Sequence, residues 1–73
     1  MPARFRDLIR ALAEFEISVE EPKSGSHWKA RRGSIVYPIP AHNREKTEIS
    51  DEYIRGIARR FGLDPNELWN RLR

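Results

Sequence analysis

His27 stands two residues before Lys29 and four before Arg31, so in an extended chain all three side chains share one face while Ser26, Trp28 and Ala30 share the other. Imidazole as a group accepts and returns a proton near neutrality, and fixed cations stabilise the charge that develops on a phosphorus under attack. RNA cleavage is the chemistry such a row could perform, with the base taking the proton of a ribose hydroxyl. The same row would also serve plain phosphate binding. These residues alone leave the two readings open.

A strand must hold the row, and the pattern around it supplies one. Phe5, Leu8, Ile9 and Leu12 recur at helical spacing among Arg4, Arg6, Asp7 and Arg10, which predicts an amphipathic helix from residue 3 to about 14. Phe15, Ile17 and Val19 then change to a period of two and predict a short strand that ends at Glu20-Glu21-Pro22. Lys23-Ser24-Gly25 reads as a turn, Ser26 to Arg31 as the second strand, and Arg32-Gly33-Ser34 as the reversal into a third strand over Ile35 to Ile39, which Pro38 confines to an edge or cuts short. Pro40 to Glu48 is polar and holds His42, Asn43, Arg44 and Lys46, the composition of a functional loop or a solvated connection.

Helix signals follow. Ser50 is a good N-cap, Ile49 and Ile54 are spaced as a hydrophobic staple, and Ile54, Ile57, Ala58 and Phe61 form an apolar stripe that Gly62 terminates. Asp64-Pro65-Asn66-Glu67 opens a last short helix bearing Leu68, Trp69 and Leu72. The expected fold is α+β in the order α-β-β-β-α-α, one domain over residues 1–73, with a three-stranded antiparallel sheet covered on one face by helices. If Trp28 and Ala30 face those helices, His27, Lys29 and Arg31 face away.

Size and charge narrow the partners. A chain of 73 residues has a small core, which favours a surface site acting on an extended ligand, with a second copy or a partner protein completing the burial. The absence of cysteine removes disulfides and thiolate metal sites and is compatible with a reducing cytoplasm. No apolar run approaches the roughly 20 residues of a membrane span, and Met1 to Leu12 lacks the unbroken apolar region of a secretory signal. Lys23, Lys29, Arg31, Arg32, Arg44 and Lys46 meet a single acid, Glu45, in their segment, a local charge of +5 where the whole chain carries +3. Positive charge is therefore concentrated around both histidines, as a polyanion would require. The plainer alternative is a basic hairpin that is merely solvated.

Leu8 and Leu12, then Gly25-Ser26-His27, then Tyr37-Pro38-Ile39-Pro40-Ala41-His42-Asn43, then Tyr53-Ile54-Arg55-Gly56-Ile57-Ala58-Arg59-Arg60-Phe61-Gly62-Leu63, taken in this order, resemble the HicA family over nearly the whole chain. The resemblance implies a fold like the double-stranded-RNA-binding domain (dsRBD-like). It also implies the activity of a metal-independent mRNA interferase, an endoribonuclease toxin of a type II toxin-antitoxin pair, paired with a HicB-type antitoxin. Carried over by position, the catalytic histidine is His27. The chain departs from the family pattern at Glu14-Phe15, where many members have glycine before the aromatic residue, and at Trp28, which follows the motif in place of histidine or an aliphatic residue.

On this reading Gly25, Ser26, Lys29, Arg31, His42 and Lys46 contact RNA, and neither a metal nor a cofactor is implied. Ser26 could equally close the turn, His42 could bond only to loop backbone, Arg32 falls to the turn, and Trp28 could stack on a base, although its place opposite His27 in the alternation favours the core. Arg55, Arg59 and Arg60 read as an ordinary charged helix face, with Asp51 and Glu52 placed to pair Arg55. Two other functions stay open: a non-catalytic RNA-binding module, which has no need of His27, and a small protein-interaction domain with no RNA role.

Overall fold

A computed structural model describes residues 3–23, 27–40 and 48–72. The elements are β1 (Ala3–Arg4), α1 (Phe5–Ala13), β2 (Ser18–Glu20), β3 (His27–Arg32), β4 (Ile35–Pro40), β5 (Glu48–Ile49), α2 (Asp51–Arg60) and α3 (Pro65–Leu72). The architecture is α+β, with β2, β3 and β4 forming an antiparallel sheet in that spatial order.

α1 forms because Phe5, Leu8, Ala11 and Leu12 fall on one stripe, and all four are fully buried. It starts two residues later than the spacing predicts. Ala3 and Arg4 are instead paired with Ile49 and Glu48, a two-residue ladder too short to leave a period in the sequence. The predicted strand over Phe15 to Val19 also contracts, to Ser18–Glu20, because residues 14–16 complete a turn. The amides of Phe15 and Ile17 both donate to the Leu12 carbonyl, at 2.9 and 3.0 Å, and Glu16 takes the left-handed conformation with φ of 63°. Glycine would sit there without strain, whereas a side chain costs about 1 kcal/mol or more. The turn is thus made in this chain without a glycine.

β3 is the central strand and pairs with Ser18 to Glu20 on one side and Ile35 to Pro40 on the other. Gly33 and Ser34 make a two-residue hairpin, with positive φ at Gly33 only, the II′ pattern that matches strand twist. β4 is an edge strand, as Pro38 requires.

The helices lie over one face of this sheet. Val19, Trp28, Ala30, Ile35, Tyr37 and Ile39 pack there against α1 and α2, and Leu68 of α3 closes the core. The Trp28 ring meets Phe5 edge-on, with centroids 5.1 Å apart. Tyr37 places its hydroxyl where a side chain on residue 56 would stand, so Gly56 permits the close approach of α2 to β4.

α2 ends as its glycine dictates. Gly62 has φ of 70°, its amide donates to the Arg59 carbonyl, and the Leu63 amide donates to the Ala58 carbonyl at 2.7 Å, which together form a Schellman motif. Asp64 caps α3 by accepting from the Asn66 amide at 2.9 Å. Ser50 has the extended backbone of an N-cap, but its hydroxyl makes no capping bond. Among the described residues no helix is long and apolar enough to cross a membrane.

Candidate functional site

The sheet face that the helices leave bare belongs to alternate residues of each strand. Cross-strand partners share a face, so the pairs Ser18↔Arg31 and Glu20↔Lys29 on one side of β3, and Val36↔Arg31 and Pro38↔Lys29 on the other, define it. His27, Lys29, Ser18, Glu20 and Pro38 are exposed and Arg31 is half-buried, while Ala30 between them is fully buried. The period-two reading of His27, Lys29 and Arg31 therefore holds. Successive members of the row lie about 7 Å apart along the strand, so His27 and Arg31 are separated by about 13 Å of backbone.

The three do not stand in equal surroundings. His27 and Lys29 make no side-chain hydrogen bond or ion pair among the described residues, whereas the Arg31 Nε donates to Glu20 Oε2 at 3.1 Å. Ser18 adds a bond from its hydroxyl to the Arg31 carbonyl at 3.3 Å. Glu20 is a member of this face that sequence reasoning missed. Val19, half-buried against the core, fixes Ser18 and Glu20 on the opposite side, but only the register of β2 on β3 sets the carboxylate against Lys29 and Arg31.

Arg32 is the converse case. The expectation placed it in the turn, but it is the last residue of β3 and shares the parity of Trp28 and Ala30, so its side chain runs toward the helices. Its guanidinium donates to the carbonyl of Phe61 at 2.6 Å and of Phe15 at 3.4 Å and lies 5.7 Å from the Phe61 ring centre. The Phe61 carbonyl is one of those a helix end leaves without an internal partner. Arg32 is therefore a brace between the sheet and both connections, and is not offered to a ligand.

Gly25, Ser26, His42 and Lys46 lie outside the described residues, as do Arg44 and Glu45. Of the basic segment, Lys23 is exposed in a bend, Lys29 stands on the open face, Arg31 is paired and Arg32 is turned inward. Among the described residues, a charge count along the chain thus overstates the cation density of this surface. Arg55 pairs with Asp51 at 2.9 Å across one helical turn, in line with its reading as part of a charged helix face.

A concavity lies elsewhere, a groove of about 750 Å³ whose lining includes Arg4, Asp7, Asp51, Arg55 and Trp69. Its central polar groups already satisfy one another: Asp51 accepts from both Arg55 and the Trp69 indole, at 2.9 and 3.2 Å. Among the described residues no three His, Cys, Asp or Glu side chains come together as metal ligands would. Among the described residues, what the bare face offers chemically is one imidazole open to solvent, an ammonium with no side-chain partner beside it, and a guanidinium held at one edge by a carboxylate.

No family model, curated protein or solved structure matches the chain. Function rests on the residues themselves.

Proposed function

We propose that this chain is a metal-independent endoribonuclease of the HicA kind, an mRNA interferase toxin that works at the bare sheet face. One observation carries the reading: His27 stands exposed at the end of the central strand, on the side away from the helices, in line with Lys29. The order of helix, three-stranded meander and helix supports a dsRBD-like arrangement, and the sequence resemblance extends over the same elements.

Single-stranded or locally unpaired mRNA lies across the face. The His27 imidazole takes the proton of a ribose 2′-hydroxyl, and the oxygen attacks the adjacent phosphorus. The bond to the 5′-oxygen breaks and that oxygen leaves with the proton that the His27 imidazolium returns, giving a 2′,3′-cyclic phosphate, a 5′-hydroxyl and a neutral imidazole. Lys29, the nearer cation, stabilises the charge on the phosphorane, while Arg31, two positions further, reaches a flanking phosphate. The nucleophile belongs to the substrate, so the route needs no metal. A HicB-type antitoxin would silence the enzyme by covering this face with acidic or main-chain groups, and the setting would be the cytoplasm, where mRNA is.

The test is cleavage of a single-stranded RNA in the presence of a chelator, comparing wild type with His27→Ala. The expected result is a loss of about 10²–10⁴-fold in rate, with cyclic phosphate ends on the wild-type products. Equal cutting by both proteins removes His27 from the chemistry. Binding without cutting by both favours the RNA-binding module. Association with a partner that is indifferent to ionic strength, with no RNA bound, favours the protein-interaction domain.

A further inference from the structure

A carboxylate on a phosphate-binding face weakens binding unless it serves the cation it touches, and Glu20 touches one in a specific way. It meets Arg31 at Nε, the inner edge of the guanidinium, and that contact leaves the fork of terminal amino groups directed away from it. Such a fork matches two oxygens of a phosphate. Ser18 fixes the main chain of the same residue through its carbonyl, so two side chains of β2 converge on Arg31. Lys29, directly across from Glu20, has no side-chain partner among the described residues, although its ammonium is on the same face. The carboxylate is committed to the arginine.

We propose that Glu20 is a positioning residue: it holds the Arg31 guanidinium so that the terminal nitrogens grip the phosphate flanking the one His27 acts on. This rests on the RNA-cleavage reading above and adds a division of labour to it. His27 and Lys29 serve the reacting phosphate, and Glu20 with Arg31 secures the strand. Glu20 and Arg31 are both about half exposed, at 47% and 42%, so the pair is of the weak surface kind and a phosphate can share the guanidinium without displacing the carboxylate.

Steady-state cleavage of a short single-stranded RNA at fixed ionic strength decides the matter, with Glu20→Ala and Glu20→Gln each made beside Arg31 and beside Arg31→Met. Glu20→Ala should raise KM about two- to fivefold at unchanged kcat, the signature of lost uniform binding. Glu20→Gln keeps an oxygen that accepts from Nε, so it should restore the wild-type KM or lower it. Beside Arg31→Met, Glu20→Ala should raise KM no further. A lower KM in Glu20→Ala, or the same rise beside Arg31→Met, overturns the proposal and leaves the RNA reading intact. If the protein binds RNA without cutting it, the dissociation constant takes the place of KM and the same signs apply. A wild-type protein that neither binds nor cuts RNA overturns the RNA reading and this inference together.

Discussion

Arg31 and Arg32 are neighbours in β3, yet the first extends over the bare face to Glu20 while the second passes under the helices to the carbonyls of Phe61 and Phe15. Trp28 and Lys29 divide in the same way, the indole against Phe5 and the ammonium in solvent. One strand therefore does two jobs by parity alone. Its even positions join the sheet to the helices, and its odd positions stand on the face the helices leave bare. Residue type does not decide which job a side chain does, because a cation appears on both faces and only one of the two, Arg32, donates to main-chain carbonyls beside the helices.

The sharpest way to break this division is to compare Trp28→Ala with Lys29→Ala. Loss of the indole should cost about 3 kcal/mol of stability, the low end for a large aromatic because the ring is only partly buried, and should lower Tm by more than about 10 °C. Lys29→Ala should leave the melting curve within about 0.5 kcal/mol of wild type, while weakening RNA binding and reducing its salt dependence by about one counterion. Equal thermal effects from the two variants would erase the distinction between the faces.

Arg32→Met against Arg31→Met sharpens the comparison, since each loses the same single positive charge. The first removes charged donors from two carbonyls and should destabilise by about 2 kcal/mol, visible in a urea titration as a lower midpoint. The second breaks an exposed pair and should cost under about 1 kcal/mol, its effect falling on RNA affinity instead.

Much of this division could be read from residue order. The alternation of Trp28 and Ala30 with His27, Lys29 and Arg31, the apolar stripes of α1 and α2, Gly62 as a helix stop and Asp64 as a cap are local patterns, and local patterns survive into the fold. Arg32 was hidden by a single-residue strand boundary: extending β3 by one position assigns it to the helix side at once. Glu20 was hidden for a different reason. Nothing within β2 says which residue of β3 it will meet, and only that register turns an acid at the end of one strand into a partner for Arg31. The pairing of Ala3 and Arg4 with Ile49 and Glu48 is equally non-local and too short to leave a period. The left-handed Glu16 was illegible because the residue that usually announces such a turn, glycine, is absent.

The division of faces is tested most directly by following the backbone amide and imidazole NMR signals of the wild-type protein while a single-stranded RNA with 2′-O-methyl riboses, which cannot be cleaved by the proposed route, is added. The account predicts that the largest shifts fall on the His27 imidazole and on the amides of Lys29, Arg31 and Glu20, and that the Trp28 and Trp69 indole N–H signals stay in place. Shifts concentrated around Trp69 and Arg55, with His27 unmoved, would contradict it.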